Sequence, residues 1–430
     1  MVTANGRLSP PNLARCADSA LCVGVKEKCS DTMKEKKRLR QLNRWLGRLL
    51  LGLLILLGLL LAASAIYNRT LPTGSATPAQ LSEAEKARLA EFWQLRQQLG
   101  DAVWPGWHTI ASPVIVYNES HVFLLGYPDA PPAGWQTVPR GETHGSAWQP
   151  IANDTFNGQP YYAQPIPADG TTPQAFVVRV GDRWVSSMQT MEWIEISFAN
   201  QFRRDLPGFL TAVFPYTLVT NLFIRGSDGY ISLLIHESFH AYQGELAPEK
   251  VAAAETAVSQ QESLYPDDPA LQTNWQTELD LLVAALQPDA DTAELACQFL
   301  VQRHQRRQQA NLSPDLIAYE QQREWLEGLA RYAELEMWRQ AANTDGYTPF
   351  LSLLDDPKFN RYTSFDQRWQ QEVDQIGRSA GAGDGRFYYT GMAQAVLLDR
   401  LLPDWKEQAF DEGVWLEELL QTTCAAISAR

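Results

Sequence analysis

Two histidines one helical turn apart, with a glutamate beside the first, make up the most chemically pointed segment of the chain: Ile235-His236-Glu237-Ser238-Phe239-His240. In a helix, residues four apart share a face, so both imidazoles can reach one ion. Zinc takes neutral imidazole well, and a catalytic zinc typically has three protein ligands and keeps one position for water. Glu237 lies about 100° round the helix from His236, beside such an ion rather than on it. There it can take a proton from the water that attacks a carbonyl. These residue types at this spacing point to hydrolysis with zinc-bound water as nucleophile and Glu237 as general base.

The surrounding residues predict a buried helix. Gly226-Ser227-Asp228-Gly229 supplies polar capping groups before it, and Gly244 followed by Pro248 supplies its stop. Between them Ile231, Leu233, Leu234, Ile235, Phe239 and Ala241 make the segment apolar on most sides. Two imidazoles and a carboxylate are costly in such a helix without partners, and a metal would be one.

A third ligand must come from elsewhere. Of the other histidines, His108, His121 and His144 fall in loop or strand regions, and His304 lies in Arg303-His304-Gln305-Arg306-Arg307, which reads as a solvated helix face. The better candidate is Glu327 in Trp325-Leu326-Glu327-Gly328-Leu329-Ala330-Arg331-Tyr332-Ala333-Glu334, on a helix signalled by Ser313 as cap and Pro314 at its first position. Gly328 in mid-helix costs about 1 kcal/mol against alanine, which calls for a packing reason; close approach to the histidine-bearing helix would supply one. Glu334 could orient an imidazole from behind, or be a surface carboxylate.

At this pair of helices the chain resembles the gluzincins, the thermolysin- and aminopeptidase-like zinc peptidases. Their His-Glu-x-x-His helix is followed by one that reads W-x-x-E-G-[FL]-A-x-Y, and Trp325–Tyr332 is similar with one residue fewer between Trp and Glu. The resemblance covers about forty residues. It implies a zincin-like catalytic half, one zinc ion held by His236, His240 and Glu327, Glu237 as the base, and a peptide or protein substrate. It also implies a donor for the developing oxyanion on a later helix. Arg386-Phe387-Tyr388-Tyr389-Thr390-Gly391 offers two phenols, and Tyr389 is the one chosen here. The chain departs from the pattern in places. Between His240 and Glu327 lie 86 residues, Met191-Glu192 is a poor counterpart of the aminopeptidase Gly-x-Met-Glu-Asn element, and Arg331 stands where thermolysin-like enzymes carry Asp. The alternative function is a catalytically inactive binding or assembly protein on a metallopeptidase scaffold.

Around these helices the sequence predicts an α+β fold, with a strand-containing N-terminal subdomain, a mainly helical half, and one transmembrane helix in front. The boundaries are a basic, partly disordered cytoplasmic tail over 1–48, an apolar run over 49–67, a linker over 68–81, the N-terminal subdomain over 82–225 and the helical half over 226–430, with a helical insertion at 246–312. Ser82 and Glu85 suit a capping box for a helix starting at 83. Pro113–Tyr117 with His121–Gly126, and Ala175–Val180 with Arg183–Ser187, suit two hairpins, while the Pro-, Gly- and Asn-rich stretch 128–174 suits long loops.

Leu49–Tyr67 carries no charge, while the first 48 residues carry +7. That pattern fits a span with its N-terminus in the cytoplasm and the large domain outside. A cleaved signal with Ala63-Ser64-Ala65 at its cleavage site, which would leave a secreted domain, is the other reading. The remainder of the chain carries −21 of a total of −14, which argues against nucleic acid as partner. Cys16, Cys22 and Cys29 precede the apolar run. Cys297 and Cys424 follow it, where an oxidising compartment would let them pair, buried free thiols being the alternative.

Overall fold

The computed structural model describes residues 21–428 apart from 140, 175, 225, 262–264 and 267; the tail over 1–20, with Cys16, lies outside them. The chain divides into two units, Met1–Leu71 with Leu206–Pro215, and Pro72–Asp205 with Tyr216–Arg430.

The first unit is dominated by α1 (Leu21–Asn68), so the helix runs back through much of the basic block. Within its segment Gln41–Asn68 an 18-residue window has a mean hydropathy of 2.8 and is not buried, and the segment is long and apolar enough to cross a membrane.

The second unit opens with α2 (Glu83–Val103), where Ser82 Oγ accepts from Glu85 N at 3.2 Å. The Glu85 carboxylate does not complete a capping box. It is buried and accepts from Arg88 (3.2 Å), Met191 N (3.2 Å) and Tyr230 Oη, tying α2 to the helix that carries His236. Eight strands follow: β1 (Val114–Tyr117), β2 (His121–Leu125), β3 (Trp135–Thr137), β4 (Thr143–His144), β5 (Gln149–Pro150), β6 (Tyr162–Pro165), β7 (Phe176–Val180) and β8 (Arg183–Gln189). They form one sheet in the order β4-β3-β7-β8-β1-β2-β6-β5. The pairs are antiparallel except β1–β8, which runs Val114 against Ser186 in parallel. Both hairpins form where the apolar runs place them. The stretch expected to be loops also contributes β3 to β6, each two to four residues long. Alternation sorts the side chains: Ile115, Val122, Leu124 and Val185 form a small cluster on one face, while Val114, Val116, Phe123 and Trp184 join the main core with the helices.

From Met191 onward the chain is mostly helical. α3 (Met191–Asp205) leads to the short α4 (Gly208–Thr211) of the first unit, then to α5 (Tyr216–Phe223) and α6 (Gly226–Leu246). The region expected as an insertion holds α7 (Pro248–Gln261), α8 (Pro269–Ala285) and α9 (Thr292–Gln309). α10 (Pro314–Arg323), capped by Ser313 Oγ, passes through a π-helical turn (Glu324–Gly328) into α11 (Leu329–Asn343). α12 (Phe365–Ile376), α13 (Arg386–Leu401), α14 (Trp405–Gln408) and α15 (Leu416–Ser428) complete the order.

Three expectations are corrected here. Gly226–Gly229 forms the first turn of α6 rather than preceding it, and the Asp228 carboxylate serves another segment, accepting from Asn360 N (2.6 Å) and Tyr362 N (2.9 Å). Gly244 does not stop the helix. It lies inside α6 where a Cβ would overlap the Trp184 indole, which lets α6 lie on the sheet. The face at Arg303–Arg307 is not solvated as a whole: His304 is exposed, but Arg303 and Arg306 are only 1% and 0% exposed. Arg303 pairs with Glu278, Glu324 and Glu417, and Arg306 with Glu278 and Glu320, which satisfies charges that burial would otherwise penalise heavily. Cys297 and Cys424 form a disulfide between α9 and α15.

Candidate metal centre

α6 and the π-turn before α11 bring three side chains together. His236 and His240 point from one face of α6 with their Nε2 atoms 3.1 Å apart. Glu327 Oε2 lies 3.4 Å from the first and 3.3 Å from the second. Among the described residues these three form a buried group whose ligand atoms all lie within 4.8 Å of one another, and which could hold a metal ion. His108, His121 and His144 are occupied elsewhere, beside Asp101, Ser120 and Glu142 respectively.

The surroundings explain why the inner atoms need a cation. His240 Nδ1 meets Gln243 Oε1 at 2.9 Å, and the Gln243 amide donates to the carbonyls of Trp325 (2.9 Å) and Leu326 (3.2 Å). An amide nitrogen turned to those carbonyls leaves its oxygen as acceptor, so the proton of His240 belongs on Nδ1. His236 Nδ1 faces the Glu334 carboxylate at 3.5 Å, which favours the same tautomer. Two Nε2 lone pairs and a carboxylate oxygen then converge with no donor between them. A metal ion, or an extra proton, resolves that arrangement. Without metal the proton takes the place: burial disfavours charge on His236, but its contacts with Glu327 and Glu334 and the charge of Glu237 lift its pKa to about 10.

Each outer contact has a structural source. The π-turn offsets the backbone hydrogen bonding around residues 324–328, and Gln243 reaches the Trp325 carbonyl and shares the Leu326 carbonyl with Leu329 N. Arg323, one turn before Glu327, donates to Glu327 Oε1 at 2.8 Å and also holds Asp384 and Glu255. Glu334 is buried, not a surface carboxylate. It accepts from Ser232 (2.8 Å), Arg331 (2.6 Å) and Arg368 (3.0 Å), and against the effect of burial the charge of Arg331, then His236 and Ser232, bring its pKa down to about 2. Arg331, where the thermolysin-like pattern has Asp, is thus the partner of Glu334.

Glu237 lies beside the group. Its Oε2 is buried and has no hydrogen-bond partner among the described residues. Burial raises its pKa against the pull of His236 and His240. Of the two phenols on α13, the one that faces the centre is Tyr388. Its ring stacks on His236 with centroids 5.8 Å apart and planes within 6°. Burial, then the nearby charge of Glu327, raises its pKa well above that of free tyrosine. Tyr389, one position on, packs against the main hydrophobic cluster. The close approach that Gly328 permits is also to α13 and not to α6: a Cβ at Gly328 would strike the backbone of Gly391. This pair of glycines sets the depth at which Tyr388 meets Glu327.

A cleft of about 730 Å³ lies beside the centre, and His236, Glu237, His240 and Glu327 are not among its lining residues. Phe176 and Glu255 line it; the Phe176 ring lies 5.3 Å from that of His240, and Glu255 pairs with Arg323. Gln243, Arg323 and Tyr388 were not singled out from sequence. Their signal is spacing: Gln243 is one turn after His240, and Arg323 one turn before Glu327.

Comparisons of the chain with protein-family models, with curated proteins and with solved structures gave no match.

Proposed function

We propose that this protein is a membrane-anchored, gluzincin-like zinc peptidase that cleaves peptide or protein substrates. The observation that carries the reading is the convergence of His236 Nε2, His240 Nε2 and Glu327 Oε2 with an unpartnered Glu237 oxygen alongside. A two-nitrogen, one-oxygen donor set with buried outer hydrogen bonds suits zinc. Zinc bound there would act as a Lewis acid and make a water available as nucleophile at neutral pH.

The chain's own residues supply the rest. Glu237, with its pKa raised by burial, accepts a proton from the attacking water and passes it to the leaving amine. Tyr388, whose phenol stays protonated, is placed to donate to the oxygen of the carbonyl under attack. Tyr388 takes the role assigned to Tyr389 from sequence, because it is the phenol stacked on His236. The cleft beside Phe176 would receive the substrate, and α1 would hold the domain at a membrane.

The test is metal analysis with a hydrolysis assay. Wild type is expected to hold about one zinc per chain, His236→Ala to lose it, and Glu237→Gln to keep it while losing hydrolysis of a peptide pool. A Glu237→Gln variant as active as wild type would remove the mechanism. A wild type that binds metal and cleaves nothing would favour the binding-protein alternative.

A further inference from the structure

The run Leu206–Ile224, LPGFLTAVFPYTLVTNLFI, contains no charged residue across nineteen positions and is bounded by Arg203-Arg204-Asp205 and Arg225. Its first part belongs to the same unit as α1. There Ser64 Oγ donates to Phe214 O (3.1 Å), and Asn68 Nδ2 donates to Ala212 O (3.0 Å) and Phe214 O (2.8 Å). Ser64 and Asn68 are one turn apart at the very end of the apolar segment Gln41–Asn68. The apolar run is therefore fastened at the level where that helix leaves the bilayer.

The run continues through Pro215 into α5, whose side chains are arranged the wrong way round for water. Tyr216 and Thr220, four residues apart, are buried, and the Tyr216 ring lies under the Arg203 guanidinium of α3 at 5.1 Å. Leu218 and Leu222, also four apart, are 71% and 78% exposed. A helix that turns a threonine inward and two leucines outward meets an apolar medium on its outer side.

We propose that residues 206–224 form a second membrane contact, lying in the headgroup and upper acyl region of the bilayer that α1 crosses. The proposal rests on reading α1 as a membrane span, and is independent of the peptidase reading. The run lies on the membrane rather than through it: Pro207 and Pro215 interrupt it, and its helices of four and eight residues are too short to cross. Arg203, Arg204 and Arg225 at its ends suit lipid phosphates.

The experiment uses the full chain with Cys16, Cys22 and Cys29 replaced by serine. It is reconstituted into phosphatidylcholine–phosphatidylglycerol vesicles and labelled with an environment-sensitive dye at Leu218→Cys, Leu222→Cys or Leu351→Cys. Leu351 is 76% exposed and lies outside the run. Dyes at 218 and 222 are expected to be quenched several-fold more by nitroxide lipid than by aqueous iodide, with the reverse order at 351. Vesicle-bound protein whose 218 and 222 dyes respond to iodide alone overturns the proposal and leaves the span intact. Dyes at 218 and 222 shielded from both quenchers indicate a protein partner and also overturn it. Protein that fails to float with vesicles overturns the span and the proposal together.

Discussion

Arg323 donates to Glu327 Oε1 at 2.8 Å, and this leaves Oε2 as the oxygen that faces both imidazoles. The guanidinium thus selects which carboxylate atom is offered to a metal, and its bonds to Asp384 and Glu255 hold it in place. Arg323→Met is expected to weaken zinc binding by about 10- to 100-fold, measured by competition with a chelator. Unchanged affinity would remove Arg323 from the support of the centre.

Gln243 has two jobs that can be separated. Its oxygen fixes the His240 tautomer, and its amide caps the carbonyls of Trp325 and Leu326. Gln243→Leu is expected to lose both zinc affinity and about 1–3 kcal/mol of stability, because two buried hydrogen bonds from the amide are lost. Gln243→Glu keeps an acceptor for Nδ1 but not the amide donor. It should restore zinc affinity without restoring the denaturant midpoint. Loss of affinity equal to that of the leucine variant would argue against the tautomer role.

The glycine contact between the π-turn and α13 gives a third expectation. A Cβ at Gly391 would overlap the Glu324 carbonyl oxygen and come within 2.8 Å of Gly328 Cα. Both are backbone, so neither can swing aside. Gly391→Ala is expected to destabilise by about 1–3 kcal/mol and to shift Glu327 and Tyr388 apart. Reduced metal occupancy together with a lowered melting temperature would support this; a variant normal in both would refute it.

Much of this centre was legible because it depends on local periodicity. The spacing of His236 and His240, the capped helix leading to Glu327, and the two hairpins at 114–125 and 176–189 are short-range patterns. What was not legible depends on helix phase or on distant partners. Choosing between Tyr388 and Tyr389 requires knowing how α13 is rotated, and adjacent helical residues differ by about 100°. The π-turn shifts that phase near Glu327 and has no signature in composition. The strands β3 to β6 are too short and too polar to show alternation. Arg303 and Arg306 read as solvated because their carboxylate partners lie 14 to 114 residues away in the chain.

That arginine network makes stability pH-dependent with a definite sign. Burial alone would raise the Glu320 pKa, but the charges of Arg306 and Arg307 hold it well below the ordinary 4.5, and Glu417 is lowered by Arg307 and Arg303 in the same way. A carboxylate with a depressed folded-state pKa contributes stability that is present above its unfolded value and lost as pH falls through the folded one. Wild type should therefore lose stability on acidification below about pH 4.5. Glu320→Gln should cost about 3–5 kcal/mol near neutrality, since it strips a partner from two buried or half-buried guanidiniums, and should then decline less steeply in acid. Urea unfolding at stepped pH distinguishes the two slopes; parallel slopes would refute the assignment.

The Cys297–Cys424 bond encircles a stretch with a sequence separation of 127. Glu327 and Tyr388 lie inside this hoop, while His236 and His240 lie upstream of it. During biosynthesis the imidazole arm is therefore translated before the carboxylate and phenol, and before Cys424, which must be made before the hoop can close. A polypeptide kept in a reducing cytosol has every ligand atom but no hoop around the carboxylate arm. Closure of the hoop therefore needs conditions that oxidise thiols.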